Sequence, residues 1–527
     1  MAYFDLHAHP VLKAHLSGTQ TANRRPVWSS DQDDIPVASP LVLFMRNILR
    51  HQANLYQLEA GEVSLSVSVH HSPEIGMVES NLFQKVADQI PSFVSPALLR
   101  EIQQVGKPGK RTYFDHLRDS LALLPDDLTG PQGQRVNVLR SLAEYDPEAL
   151  NFIRAIEGAH CLYSDPAGET AADNLQKLLD EGHRFLYLTL AHLTDNQICT
   201  HAFGMRMKVG PVTVSSNVIF FPNGAGLRET GKNLIRTALK AGVLIDVKHL
   251  SRASRMQYYE LRETEFPNAP ILCSHGAAAG CSRDKPPIRK AVVHRTEKNL
   301  VVVHYKQGGF FKPRITPQDF NCWSINLYDE DIREIVKSGG MIGISLDKRI
   351  LGVNKTAKEI FSREEYELIP GCPPVVPAQQ EPAVDADVED EDDLLEADEL
   401  ADLAEARQSA AADEEAGISA LEFTKRRHLK FLAHQILHMV RVGGQGTWSC
   451  LCIGSDLDGL IVPVKCARSV LDFDDVEDAL IKRLLALADK GSPTDYDLTP
   501  NNVRERVRGL LWRNGWQFLE RHFNQPA

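Results

Sequence analysis

The chain's 527 residues, 43% hydrophobic and 24% charged, suffice to bury a large core, and no apolar run approaches the ~20 residues that cross a bilayer. The formal charge of -12 suggests an acidic surface, but residues 381 to 415 hold 16 Asp and Glu against the single Arg407, which leaves the remainder near +3. That balance excludes a nucleic-acid footprint and an electrostatic membrane anchor. Nine scattered cysteines without a CxxC pair fit buried thiols, Cys450 and Cys452 included, in a reducing compartment. Asp5 to His9 stand where a signal peptide would need its charged and apolar regions, so a cytoplasmic protein is expected.

Residues 2 to 6 read as a strand, and alternation along an extended segment turns His7 and His9 to one side, where two imidazoles can share a metal ion. Gly18 to Ser39 reads as a loop, Pro40 to Leu58 as a helix, and Glu62 to Val69 as a second strand ending at His70 and His71. Helical patterns fill much of 76 to 146. A third strand, Phe152 to Ile156, ends at Glu157, with Gly158 and His160 beyond it, and a helix over 171 to 182 leads to a fourth strand, Phe185 to Leu190, ending at His192.

Helix Arg228 to Ala241 stops at Gly242, and the fifth strand, Val243 to Val247, ends at His249. Helix 251 to 262 precedes a sixth strand, Ile271 to Ser274, ending at His275. Residues 276 to 325 form a long excursion before helix 329 to 338 and a seventh strand, Met341 to Leu346. Residues 373 to 416, built from Pro, Ala, Asp and Glu, carry too little apolar surface to offset the entropy of ordering, and read as a disordered acidic insertion between strands 7 and 8. Helix 420 to 441, the eighth strand Cys450 to Gly454 ending at Asp456, and helices 473 to 490, 500 to 510 and 512 to 522 complete the order.

Eight alternating units predict an α/β fold, a (β/α)8 TIM-type barrel with insertions formed by residues 1 to 527 as one domain. Such a barrel would gather His7, Glu157, His192, His249, His275 and Asp456, each just past a different strand's carboxyl end, into one pocket.

The pieces Asp5-Leu6-His7-Ala8-His9, Ile156-Glu157-Gly158, Tyr187-Leu188-Thr189-Leu190-Ala191-His192, Gly226-Leu227 with Gly231, Leu244-Ile245-Asp246-Val247-Lys248-His249, Ser274-His275, Gly339-Gly340-Met341-Ile342-Gly343 and Ile453-Gly454-Ser455-Asp456-Leu457-Asp458-Gly459 occur in the order found in the membrane (renal) dipeptidases. In these the chain resembles that family of zinc metallopeptidases of the amidohydrolase superfamily. The resemblance implies two Zn2+ ions, with other divalent metals allowed, one bound by His7 and His9 and the other by His249 and His275. Glu157 would bridge them, Asp456 would contact the first metal and shuttle a proton, and His192 would polarise the substrate carbonyl. A hydroxide shared by the two zinc ions would attack a dipeptide or related small amide. The implied partner is a small-molecule substrate, without nucleic acid or membrane; a homodimer is compatible with the reading. Other substrate classes of the same chemistry, a deacylase or a phosphoesterase, remain open, as does a non-catalytic metal-binding scaffold.

Three departures matter. The family normally carries Asp where this chain has His9. It places an Arg, which holds the dipeptide carboxylate, before an Asn-Leu pair that here reads Ile325-Asn326-Leu327. Arg283, Arg289 and Arg295 in the excursion are the candidates to replace it; without them, selectivity for a free carboxylate should be weak, within about tenfold. The expected absence of a signal or anchor sets the chain apart from secreted, lipid-anchored members. Alternation further predicts that Lys248 faces the helices rather than the metals, whereas His70 and His71 read as pocket, surface or loop residues.

Overall fold

The structure, a computed structural model, describes residues 2–18, 25–29, 47–165, 167–204, 208–209, 212–213, 220–293, 300–305, 320–353, 358–376, 420–488 and 496–523. Its centre is a ring of parallel strands: β1 (Tyr3–Ala8), β2 (Val63–His70), β3 (Leu150–Glu157), β4 (Phe185–Thr189), β5 (Leu244–Asp246), β6 (Leu272–Gly276), β7 (Met341–Ile344) and β8 (Leu451–Ile453). Each pairs with its successor, and Asp5 of β1 lies beside Ile453 of β8, so the sheet closes into the (β/α)8 barrel that the alternation of elements predicts. A ninth strand, Val136–Val138, takes the edge of β3 at Leu150 to Phe152 before β4 takes it over from Arg154.

The principal helices of the outer layer are α1 (Ala171–Asp180), α2 (Glu229–Lys240), α3 (Arg252–Glu265), α4 (Asp329–Lys337), α5 (Ala420–Gly443), α6 (Phe473–Ala488) and α7 (Asn514–His522). Their sequences explain their seats. In α2 the buried residues are Gly231, Leu234, Ile235 and Ala238, one stripe at helical spacing. Ser251 caps α3 by accepting from the Ser254 amide, and Asp329, Glu330 and Asp331 place negative charge on the first turn of α4.

A single apolar cluster contains residues of all eight strands, among them Phe4, Leu65, Val67, Ile153, Leu186, Leu244, Leu272, Met341 and Cys452, and therefore fills the barrel. Phe518, Leu519 and Phe523 of the C-terminal helical segment join it. That helix approaches closely because position 515 is glycine: a Cβ there would lie 2.0 Å from Cδ1 of Phe4. The carboxyl ends of the strands are left for chemistry.

Two expectations change. The segment 40 to 58 is not one helix: residues 47–49 are helical, and Asn54 then caps a separate helix, Leu55–Ala60, through the Gln57 amide, while 40 to 46 lie outside the described residues. An Asn that bonds its own downstream backbone interrupts a helix that apolar spacing alone would continue. The excursion after β6 folds as a hairpin of Ile288–Val293 and Leu300–Tyr305, which Lys358–Ser362 and Val375–Val376 extend to a four-stranded sheet. Most of the acidic stretch, and its expected disorder, falls outside the described residues. No described helix is long and apolar enough to cross a membrane.

Candidate metal centre and its pocket

Buried carboxylates fix the strand ends before any ligand is considered. Asp5 accepts from the His7 amide at 3.1 Å, the Ser455 amide at 2.9 Å and the Ser455 hydroxyl, tying β1 to the segment after β8. Asp246 accepts from Thr189 Oγ1 at 2.7 Å, Ser274 Oγ at 2.6 Å, the Ser274 amide at 2.9 Å and the Lys248 amide at 3.0 Å, tying β4, β5 and β6. So many donors satisfy charges that burial would otherwise make costly.

On this frame His7, His9, Glu157, His249 and His275 converge. His7 Nε2 lies 3.1 Å from His9 Nε2, and His249 Nε2 lies 3.2 Å from His275 Nε2. Glu157 stands between the pairs, with Oε2 3.5 Å from His9 and Oε1 3.6, 3.4 and 3.6 Å from His7, His249 and His275. Asp456 Oδ1 is 3.4 Å from His9 Nε2 and 3.8 Å from His7 Nε2. Zinc with bonds of ~2.0–2.1 Å separates tetrahedral ligand atoms by ~3.3 Å, close to these spacings. The sets His7–His9–Glu157 and Glu157–His249–His275 can each hold a cation.

The imidazoles are presented as ligands. Tyr187 donates its hydroxyl proton to Leu6 O, so its oxygen accepts from His7 Nδ1 at 2.8 Å; Ser274 donates to Asp246 and accepts from His275 Nδ1 at 2.8 Å. In both rings the Nε2 lone pair is left facing the centre. Burial holds His7, His249 and His275 well below the usual imidazole range and lowers His9, so neutral rings are favoured. Burial raises the Glu157 and Asp456 carboxyls, the latter with help from Asp347. His249 and Asp456 adopt left-handed backbone, φ 64° and 62°, a strain of order 1 kcal/mol or more each that the surrounding frame sustains. Gly459 leaves room for Asp456 and His9: a Cβ there would lie 2.2 Å from Asp456 Oδ1 and 2.8 Å from His9 Cδ2.

His192 faces the same centre, with Nε2 3.9 Å from Glu157 Oε2. Its Nδ1 donates to Glu74 at 2.8 Å, and Glu74 also accepts from the Leu193 amide at 3.0 Å and Thr194 Oγ1 at 3.2 Å. Burial alone would depress this imidazole; Glu74, followed by Glu157, overcomes it and raises the pKa to about 9. Sequence reasoning missed Glu74, whose only signal is its place four residues beyond the end of β2.

A cavity opens above the centre, lined there by Glu157, His192, His249, His275 and Asp456. Lys248 lines it too, which corrects the expectation from alternation: the left-handed turn at His249 lets consecutive side chains reach the same space. His70 and His71 are both buried; His71 packs against the His192 ring at 4.5 Å, whereas His70 Nδ1 meets Ser120 Oγ at 3.1 Å, away from the cavity. Ile325 is on the wall, as are Asp347 and Arg349 just past β7, two residues that the strand-end rule points to and that sequence reasoning passed over. Arg283 and Arg289 are not among the lining residues; Arg289 is exposed on the four-stranded sheet, and Arg295 lies outside the described residues.

Comparison with known proteins meets this geometry. A profile of the family "Membrane dipeptidase (Peptidase family M19)" matches residues 134–305, the stretch that carries Glu157, His192, His249 and His275. A metallo peptidase from Rhodobacter sphaeroides, solved with a phosphinate mimic of the dipeptide L-Ala-D-Ala, is 14% identical over 99% of both chains with a TM-score of 0.50, a likeness of fold. The probable dipeptidase PvdM from Pseudomonas aeruginosa is 14% identical over 100% of this chain and 96% of its own, with a TM-score of 0.48. Among curated proteins, Ycf2 of Jasminum nudiflorum is 26% identical over 158 residues, which span 29% of this chain and 7% of that protein. The profile match spans 172 of the 527 residues, and over that stretch, which carries four of the residues that meet at the strand ends, the chain is similar to the membrane dipeptidase family of metallopeptidases.

Proposed function

We propose that the protein hydrolyses dipeptides or closely related small amides at a centre of two divalent cations, zinc being the first candidate. The observation that carries this reading is Glu157, whose carboxylate stands between two imidazole pairs at 3.4 to 3.6 Å from all four rings. The donor set fits: neutral imidazoles backed through Nδ1 in two cases, a shared carboxylate, and Asp456 at the edge of the first set. When bound, two such cations supply Lewis acidity that makes water a nucleophile at neutral pH and draws electrons from an amide carbonyl.

The protein's own groups do the rest. His192, protonated on Nε2 by virtue of Glu74, offers a charged donor to the oxygen that becomes negative as the carbonyl is attacked. Asp456, raised by burial and by Asp347, is suited to hold a proton and deliver it to the leaving amine.

Metal analysis with a dipeptide panel tests the reading. Gently prepared protein should carry close to two cations per chain, and Glu157→Gln should lower both occupancies where His249→Ala chiefly lowers the second. Protein without metal that gains no activity on addition of zinc, or a Glu157→Gln variant with full metal and turnover, would refute it.

A further inference from the structure

The cavity walls differ in chemistry from one side of the ring to the other. The segments after β8, β1 and β2, three adjacent strands, contribute a wall that is mostly apolar and includes Ile48, Met77, Phe83, Val86, Phe93 and Leu460, whereas the opposite wall mixes Ile325 and Ile350 with charged groups. The strand opposite β2 in the ring is β6, and the strands flanking β6 end in the lysine and the arginine that line the cavity among the described residues, Lys248 after β5 and Arg349 after β7.

Lys248 is 1% exposed, and its Nζ has no hydrogen-bond partner among the described residues. An ammonium so placed has lost its hydration and gained no fixed acceptor, a state that an anionic ligand group relieves. Arg349 donates Nη2 to Asp347 at 2.7 Å and Nε to the same carboxylate at 3.2 Å, while Nη1 makes no hydrogen bond to a described residue. That edge is oriented by the ion pair and left able to donate. By contrast the described acids on the walls are committed: Asp347 to Arg349, Glu157 and Asp456 to the imidazole centre. A free ammonium on a substrate would find no uncommitted carboxylate there.

Resting on the hydrolase reading above, we propose that the substrate is an N-acyl amino acid, with a bulky apolar acyl group on the β8–β1–β2 wall and its carboxylate between Lys248 and Arg349. The walls then hold the amide over the metal centre from both sides. The reaction adds the oxygen of water to the acyl carbon, breaks the C–N bond and passes a proton to the amine, releasing an apolar carboxylic acid and a free amino acid. An anionic end and an apolar end on opposite walls also fix which way round the amide lies.

The experiment uses the full chain loaded with zinc. N-Acetyl-, N-hexanoyl- and N-decanoylalanine of each enantiomer are compared with their carboxamides and with Ala-Ala. Expected is a rise in kcat/KM of about tenfold or more from acetyl to hexanoyl, since each buried methylene contributes, and an acid-over-amide preference of about tenfold or more. Arg349→Met, and separately Lys248→Met, should collapse that preference to about threefold or less, and Val86→Asp should flatten the acyl series. A flat acyl series in the unaltered protein, acid and amide turned over alike, or Ala-Ala favoured over N-hexanoylalanine overturns the proposal while leaving the hydrolase reading standing. If no compound is turned over by the metal-loaded protein, the hydrolase reading fails, and ligand-induced rise in melting temperature decides the subsite. A larger rise with N-decanoylalanine than with its amide, lost in Arg349→Met, upholds it; equal rises or none overturn it.

Discussion

Replacing Glu74 by Gln isolates the group that charges His192. Glu74 is 2% exposed and faces three donors, His192 Nδ1, the Leu193 amide and Thr194 Oγ1, at 2.8 to 3.2 Å. A glutamine offers one oxygen and turns an NH2 toward one of those donors, which costs about 1–3 kcal/mol at the site. The larger effect is electrostatic. His192 stands at about 9 against an ordinary 6.5, roughly 3 kcal/mol in favour of the protonated ring. Cations on Glu157 would neutralise that carboxylate's share, so the share of Glu74 decides whether His192 keeps its proton near neutrality. Without it, burial draws the imidazole below its ordinary value. The alkaline limb of kcat against pH should therefore move at least one unit toward acid, by roughly the share assigned to Glu74. At pH 8 the loss should be about 100- to 1000-fold, as for removal of an oxyanion donor, and at pH 6 it should be smaller. Metal content should be unchanged, because Glu74 is absent from both three-residue ligand sets that share Glu157. An alkaline limb that stays in place, with kcat at pH 8 within about threefold of the unaltered protein, would refute the coupling.

Gly459→Ala should displace Asp456 and His9, and bound metal should fall toward one ion per chain while the His249–His275 pair keeps its own; unchanged metal content by elemental analysis would contradict the crowding derived from the 2.2 Å approach. Protein stripped of metal by a chelator should be most stable near pH 6.5 to 7. Below that window the unfolded chain protonates imidazoles that His7, His249 and His275 keep neutral, so stability falls with pH; above it the proton that His192, raised to about 9, holds in the folded chain is lost, so stability falls as pH rises. Melting temperatures across pH 5 to 9, with and without zinc, check both limbs. Replacing residues 377 to 414 by a short Gly-Ser linker should leave melting temperature and turnover nearly unchanged, as their composition implies; a large drop in either would show that the segment packs on the barrel.

The barrel was legible because each strand is a short apolar run with a helix behind it, and the convergence of the candidate residues because the carboxyl ends of such strands meet; their roles as ligands were implied only by the family resemblance. The meeting of His7, Glu157, His249 and His275 in one place needed no more than that rule. Lys248 was misplaced because alternation assumes extended backbone, and the left-handed φ of His249 suspends it one residue later. For Glu74 the place just past β2 is too weak a signal: what matters is its distance to His192, 118 positions away in sequence. The hairpin of Ile288–Val293 and Leu300–Tyr305 was hidden because Arg, Lys and Pro around it dilute the alternation, and its partner strand comes from the far side of β7.

The pairing of β1 with β8 also sets the order in which the molecule can be finished. Ser455 Oγ reaches His7 O across 448 positions, and Asp5 holds Ser455 across 450. During synthesis the first strand, with two of the imidazoles, emerges first and has no partner edge on that side until the eighth follows. Glu157, His249 and His275 lie on strands that can meet much earlier. On the proposed two-cation reading the halves of the centre would mature at different times: the second would be assembled before the eighth strand emerges, whereas the first would await closure of the ring, the strand pairing of longest range in the fold. Cation uptake by His7 and His9 would then report that the barrel has shut.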